Sequence, residues 1–215
     1  MNENSIQLIG HYGGDETHAC SAWTSTNREL TPEKRARIPA MLKQLAGAGH
    51  HSVFEKSTLH FLLNCEQASH IHLLKHRIAV QINCESARYK ELKEDKFYLP
   101  KDWDDDDRKD LERHCLTCFE RYHICLKRLQ EKGFSRKRAK ESARFYLPYA
   151  SQIQMDISFN WRSFAHFLGL RKKADAQDEI HEIAAEMLRL VQEIPGNPFE
   201  HTIAAFGYAE SSLST

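Results

Sequence analysis

Between about Arg108 and Lys132 the chain keeps one helical period longer than anywhere else, and this seam limits the folds open to it. Leu111, Cys115, Cys118, Tyr122, Cys125 and Leu129 recur at steps of four and three, so they share one face of a long helix that must be buried. Gly133 ends that helix, and Ser135 can cap a shorter one carrying Arg136, Lys137, Arg138 and Lys140. Elsewhere the period shortens to two. Leu59, Phe61 and Leu63 alternate, as do Ile153, Met155 and Ile157 within Tyr149 to Ile157, and Ile6 to Ile9 reads as a further short strand.

Helical spacing returns between the strands. Thr31-Pro32 is a helix start, followed by Ile38, Met41, Leu42 and Leu45, with Pro39 as the point where the helix properly begins and Gly47 and Gly49 as its stop. Ala68, Ile71 and Leu74 mark another helix, which delivers the segment from Lys75. Asp102 to Asp107 reads as an acidic loop around Trp103. Phe159 to Leu170 and Ala176 to Gln192 are two more helices, the second with Ile180, Ile183, Ala184, Met187 and Val191 as its core stripe. Pro195, Gly196 and Pro198 break it, and residues from about 207 to 215 read as a loose tail. Without a repeat or a clear linker, residues 1–215 are expected to form a single α+β domain.

Thirty Lys+Arg balance thirty Asp+Glu, so no global field draws the protein to nucleic acid or anionic lipid. Nucleic-acid and membrane partners are therefore not expected. Hydrophobic residues at 41% and charged residues at 28% describe an ordinary globular chain. No stretch reaches the roughly 20 apolar residues of a membrane span, and the start MNENSIQLIG lacks the regions of a signal peptide. A cytoplasmic location is the expectation, with the six cysteines as reduced thiols.

Chemistry-bearing residues gather in a few places. His114, Cys115, Cys118, His123 and Cys125 have the ligand types of a zinc site, but a long helix cannot wrap them around one ion, and buried thiols explain them better. His50 and His51 follow Gly47-Ala48-Gly49 and precede a strand, either as an ordinary polar turn or as a ligand contact. The densest segment runs Lys75-His76-Arg77, then Asn83, Glu85-Ser86 and Arg88-Tyr89. Such donors suit oxyanions, and Ile78, Ala79, Val80 and Ile82 between them imply partial burial. A second cationic set comprises Arg144, then Asn160, Arg162, His166 and Arg171. Arg162 and His166 lie four apart and either pair with carboxylates or coat a phosphate. No GxxxxGK, GxGxxG, HExxH or GxSxG pattern occurs.

Taken together these blocks resemble the flavin-dependent thymidylate synthases. That family carries Arg-His-Arg, seven residues and then Ser, usually with Arg-Tyr following. Here the segment reads Lys75-His76-Arg77, eight residues, and Ser86-Ala87-Arg88-Tyr89. Gly49-His50-His51-Ser52-Val53-Phe54-Glu55 is similar to the family's upstream block. Ala143-Arg144-Phe145-Tyr146-Leu147-Pro148, Asn160 to Arg171 and Asp175 to Ile180 match its later blocks in order, so the likeness spans roughly residues 5 to 192. Lys75 for Arg, the additional residue before Ser86, and His72 where Gln is common are departures.

The resemblance implies a small, mainly antiparallel sheet packed against a helical bundle. It also implies conversion of dUMP to dTMP, with methylenetetrahydrofolate as carbon donor and NADPH as hydride source through FAD. No covalent protein nucleophile and no metal are expected. By the same resemblance, His72, Lys75, Glu85, Ser86, Arg88, Arg144 and Arg171 would meet dUMP, with Arg171 the catalytic residue against the uracil. Ser25, His50, Ser52, Lys75, His76 and Arg77 would hold FAD, together with Ile78, Asn83, Asn160, Arg162 and His166. Family members are homotetramers with shared active sites. The same cationic groups could instead serve a non-catalytic nucleotide- or RNA-binding module.

Overall fold

Polar caps and buried stripes set the element boundaries. In the computed structural model, which describes residues 3–86 and 95–209, the chain begins with β1 (Ser5–Tyr12), α1 (Asp15–Trp23), α2 (Pro32–Gly47) and a 3-10 turn (His51–Glu55). Next come β2 (Thr58–Glu66), α3 (Gln67–Leu74), β3 (Val80–Cys84), α4 (Asp105–Glu131), α5 (Arg136–Ala143) and a second 3-10 turn (Arg144–Tyr146). The chain continues through β4 (Gln152–Phe159), α6 (Trp161–Arg171), α7 (Asp178–Gln192) and α8 (Glu200–Ala205). Arg88 and the part of the expected tail from Glu210 onward lie outside the described residues, whereas Tyr208, at the start of that tail, is not loose: its hydroxyl donates to Ala165 O at 3.0 Å.

The strands form one sheet in the order β1-β2-β4-β3. Its pairings run antiparallel: Gln67 N–H at the end of β2 donates to Ser151 O at the start of β4 (3.1 Å), and Glu85 N–H just past β3 donates to Gln154 O (2.8 Å). Asn4, entering β1, donates to Glu66 at the end of β2 (2.7 Å). The α+β class and the antiparallel sheet expected from the sequence are therefore present.

Two compact units with interleaved segments make up the chain. The α4 unit comprises Met1–Ser5, Leu63–Lys75 and Asn83–Asp156. The α6 unit comprises Ile6–Leu62, His76–Ile82 and Ile157–Thr215.

In the α4 unit, the Asp104 carboxylate accepts the Asp106 and Asp107 N–H groups, both at 2.9 Å, and so starts α4. Asp105 to Asp107 thus belong to the helix, where negative charge favours its N-terminal dipole, and not to a loop as expected. Most of the seam is buried as its spacing predicts: Cys115, Tyr122 and Cys125 pack with Phe119, Leu126, Ala139 and Ala143, and Leu111 and Leu129 flank them, whereas Cys118 is only half-buried, at the edge of the stripe beside His114. Burial, followed by the Cys118 and Glu112 charges, pushes the Cys115 thiol up to about 11, so it remains a protonated core group at neutral pH. β4 starts at Gln152 instead of Tyr149, because Ser151 N–H closes a turn on Pro148 O (3.0 Å). On α3 the buried residues are Ser69 and Leu73; Ile71 and Leu74 of the expected stripe stand 40% and 42% exposed.

The α6 unit is built on aromatic packing. Phe54, Phe61, Phe159, Trp161, Phe164, Phe167 and Phe199 are all fully buried, and α7 contributes Ile180, Ile183, Ala184, Met187 and Val191 as expected. α2 begins at Pro32, where the Thr31 hydroxyl accepts Lys34 N–H, and it runs through Pro39 instead of beginning there. Pro39 has no N–H to give the Arg35 carbonyl and so costs the helix one interior ladder bond, yet α2 continues past it with Ile38 and Leu42 buried on either side. Phe159 closes β4, so α6 starts two residues later than expected, at Trp161. Neither α1 nor α8 is expected from the sequence; α1 buries Asp15 and His18 along with Ala19, a pattern with no apolar period. Among the described residues no helix is long and apolar enough to cross a membrane.

Candidate active site

Asn160 begins the site in the α6 unit by capping α6: its side-chain oxygen accepts Ser163 N–H at 2.9 Å. The cap fixes the helix face on which Arg162 and His166 stand exposed, with Phe164, Ala165, Phe167 and Leu168 buried opposite. Of the two alternatives for Arg162, the structure shows a carboxylate partner: its Nη1 bonds Glu55 Oε1 at the end of the first 3-10 turn. Ser163 Oγ donates to Ile78 O (2.7 Å), tying the turn that carries Arg77 and Ile78 onto α6.

At the other end of α6, Arg171 Nε donates to His76 Nε2 at 3.1 Å. A donor facing that nitrogen requires a lone pair on it, so His76 carries its proton on Nδ1. His76 is only 7% exposed, with its ring edge-on to Phe167 (5.0 Å) and to His166 (6.1 Å). Three residues expected to hold FAD, His76, Asn160 and His166, are thus close to the Arg171 guanidinium or share its helix. Their side chains offer N–H donors, a set whose chemistry fits the diphosphate of a dinucleotide cofactor.

Other expected FAD residues in this unit are more scattered. His50 and Ser52 are exposed just after the Gly49 turn (φ +74), where His50 N–H returns to Leu45 O at 2.9 Å. Ser25 is exposed beyond α1, and its hydroxyl donates to Ala22 O (3.2 Å), so it caps its own helix end. Ile78, expected to be partly buried, is 85% exposed, and Ala79 beside it is also exposed, because the turn projects them outward. Ala79 adopts φ +52, a left-handed conformation that a residue with a Cβ rarely takes.

The α4 unit holds the described nucleotide residues other than Arg171. His72 is half-buried on α3 and Lys75 is exposed at its C-terminal cap. Glu85 is fixed across the sheet edge, donating its N–H to Gln154 O and accepting Gln154 N–H on Oε2 (3.3 Å), and Ser86 follows it half-buried. Asn83 is exposed on β3. Arg144 is exposed as the first residue of the second 3-10 turn, and Phe145 (84%) and Tyr149 (68%) beside it are also open to solvent.

Sequence reasoning missed the supporting residues. Gln154 lies in no motif block, and Glu55 and Ser163 lie inside blocks that do not show their tertiary partners, Arg162 and the Ile78 carbonyl. Also missed was a buried polar chain of Asp15, His18, Ser57 and Thr202 in the α6 unit, whose members are too far apart in sequence to form a pattern.

Comparison with known proteins follows the same line. The family model described as thymidylate synthase complementing protein matches residues 7–195. A flavin-dependent thymidylate synthase of Pseudothermotoga lettingae is 29% identical over 201 residues, covering 90% of this chain and 87% of that protein. Its counterpart in Mycobacterium tuberculosis is 30% identical over 185 residues, covering 80% and 70%. Among solved structures, a UMP/dUMP methylase from Streptomyces cacaoi bound with 5-Br dUMP superposes with a TM-score of 0.75 at 26% identity, covering 97% of both chains.

Proposed function

This chain belongs to the flavin-dependent thymidylate synthase family, and from that premise we propose that it converts dUMP to dTMP, taking the carbon from methylenetetrahydrofolate and the hydride from NADPH through FAD. The observation that carries the reading is the contact between Arg171 and His76. Residues from two separate motif blocks, 95 positions apart, meet at 3.1 Å.

Bound FAD would supply the redox step, relaying the hydride; the chain's own task is to bind, orient and stabilise charge. Arg171 is the catalytic residue in this reading. Held through its Nε, it presents a fixed positive charge to the uracil, where electron density builds as the ring attacks the methylene carbon. Arg144 and Ser86 take the dUMP phosphate with Arg88, and Glu85, His72 and Lys75 line the nucleotide. His76, Arg77, Ile78, Asn160, Arg162 and His166 hold FAD, joined by Ser25, His50, Ser52, Lys75 and Asn83. No side chain acts as a covalent nucleophile. The working assembly is a cytoplasmic homotetramer whose subunits share each site, folded from a single domain per chain.

The test is a product assay with dUMP, methylenetetrahydrofolate, NADPH and FAD. Formation of dTMP, with a flavin spectrum that NADPH bleaches, supports the reading. A colourless protein that FAD cannot reconstitute overturns it in favour of a non-catalytic binding module. A second reading, methylation of UMP, is favoured by the similarity in structure to a UMP/dUMP methylase. UMP in place of dUMP in the same assay separates the two.

A further inference from the structure

His18 is fully buried in the α6 unit, and both its ring nitrogens are bonded: Nδ1 to Thr202 Oγ1 at 3.0 Å and Nε2 to Ser57 Oγ at 2.9 Å. The directions of these bonds can be derived from their far ends. The Asp15 carboxylate accepts Thr202 Oγ–H (2.6 Å) and Thr202 N–H (2.8 Å) on Oδ1, and His201 N–H (2.8 Å) on Oδ2. With its only proton spent on Asp15, the Thr202 hydroxyl must accept from His18, which puts the ring proton on Nδ1. His18 Nε2 is then a lone pair, so Ser57 donates to it. Ser57 Oγ in turn accepts the backbone N–H of Trp161 at 3.3 Å.

The chain of bonds therefore has one sense: Trp161 N–H to Ser57, Ser57 to His18, His18 to Thr202, Thr202 to Asp15. Burial keeps His18 neutral, lowering its pKa to about 4, as this sense requires. Asp15 itself is anchored by Pro198, whose carbonyl accepts its N–H at 2.7 Å. Gly14 (φ +149) makes that approach possible, since a Cβ there would strike the same carbonyl.

Trp161 N–H is one of the first donors of α6, which no intrahelical carbonyl can satisfy. Asn160 satisfies Ser163 N–H, and Ser57 satisfies Trp161 N–H. The neighbouring residues repeat the link, because Glu55, two before Ser57, pairs with Arg162, one after Trp161. Two independent bonds thus fix the register between the first 3-10 turn with Ser52 and the helix with Arg162 and His166.

We propose that the Asp15–Thr202–His18–Ser57 relay is a positioning device that sets α6 against the 3-10 turn in the geometry that receives FAD. The inference rests on the flavin reading above. None of the four residues is among those read as holding FAD; the relay acts through the Ser57 bond to the start of α6.

The test compares Ser57→Ala and Thr202→Val with the wild-type protein by two measurements. In the apo protein, amide exchange at Trp161 should rise about five-fold or more in both variants, in line with a net hydrogen bond of roughly 1 kcal/mol. FAD titration should give a Kd about three- to ten-fold weaker, with kcat at saturating FAD unchanged, and Ser57→Cys should recover part of the loss. A fall in thermal stability with Trp161 exchange and FAD affinity both at wild-type values makes the relay merely structural and overturns the proposal. Should the wild-type protein bind no FAD, the flavin reading fails by itself. The positioning claim then stands or falls on Trp161 exchange alone, and wild-type exchange in both variants overturns it.

Discussion

Arg171 in the α6 unit and Arg144 in the α4 unit are proposed to meet the same nucleotide, yet their surroundings differ in kind. Arg171 leans through Nε on His76, which is 7% exposed and enclosed by Phe167 and His166. Arg144 opens a short 3-10 turn beside Phe145, which is 84% exposed. The contrast is between a group whose position is fixed before any ligand arrives and one that must be ordered by what it binds. Ordering a long side chain costs up to about 2 kcal/mol, so Arg144 is suited to affinity and Arg171 to catalysis.

The largest effect should fall on Arg171. Arg171→Ala is expected to lower kcat for dTMP formation by about a hundred-fold or more while the flavin spectrum persists, as for removal of one preorganised charge-stabilising donor. Wild-type turnover would erase the contrast between the two arginines. Loss of bound flavin would recast Arg171 as a support for the cofactor through His76.

Acid should separate the two units next. His18 has its folded-state pKa lowered from 6.5 to about 4 by burial, so between those values the unfolded chain takes up a proton that the folded one does not. Its contribution is complete above pH 6.5 and is lost as pH falls towards 4, up to about 3 kcal/mol. The raised pKa of Asp15, caused first by desolvation, works oppositely by favouring the folded state at lower pH, and so blunts the loss. His70 in the α4 unit is also lowered by burial. Hydrogen exchange at about pH 5, inside the His18 window, should nevertheless open α1, α8 and the start of α6 before α4. His18→Gln should flatten that pH dependence, and equal loosening of α4 would refute it.

Arg144→Ala gives the converse of Arg171→Ala. A charge-assisted bond to phosphate is worth about 1.5–3 kcal/mol, so the KM for dUMP should rise roughly ten- to hundred-fold with kcat within a few-fold of wild type. A collapse of kcat at unchanged KM would show that Arg144 acts on the reacting atoms just as Arg171 does.

What could be read from the sequence follows the same physical divide. Periodic burial was legible: the Cys115, Tyr122 and Cys125 positions of the seam, the Ile180 to Val191 stripe and the alternation through Met155 and Ile157 all lie where spacing put them. Capping residues were legible too, as Thr31 and Ser135 show. Polar burial was not. Asp15 and His18 make α1 a helix without an apolar stripe, and its partners Ser57 and Thr202 lie 39 and 184 residues from His18, beyond the reach of any local pattern. Ile78 misleads for the opposite reason: an apolar residue beside charges reads as buried, but a left-handed turn points it outward. The candidate site was legible as motif blocks, whereas the bonds that hold it, Glu55 to Arg162 and Ser163 to Ile78, are tertiary.

That left-handed turn gives the smallest and most local test. After α4 the left-handed position is a glycine, Gly133 at φ +87, as it is after α2 with Gly49 at φ +74, whereas in the turn before β3 a positive φ of +52 falls on Ala79. A Cβ at such a position strains the backbone by about 1–2 kcal/mol. Glycine removes the strain but gives back part of it, because the unfolded chain gains freedom. Ala79→Gly should therefore stabilise the protein by only about 0.5 kcal/mol, a rise in Tm of roughly 1–2 °C for a chain of this size. The strain sits next to Ile78 O, which Ser163 Oγ holds at 2.7 Å, so the turn is pinned from α6 in spite of its cost. If the substitution lowers Tm instead, the Ala79 side chain contributes contacts that outweigh its conformation. The turn would then be supported from a second side, and the preorganisation seen at Arg171 would extend through the segment between His76 and β3.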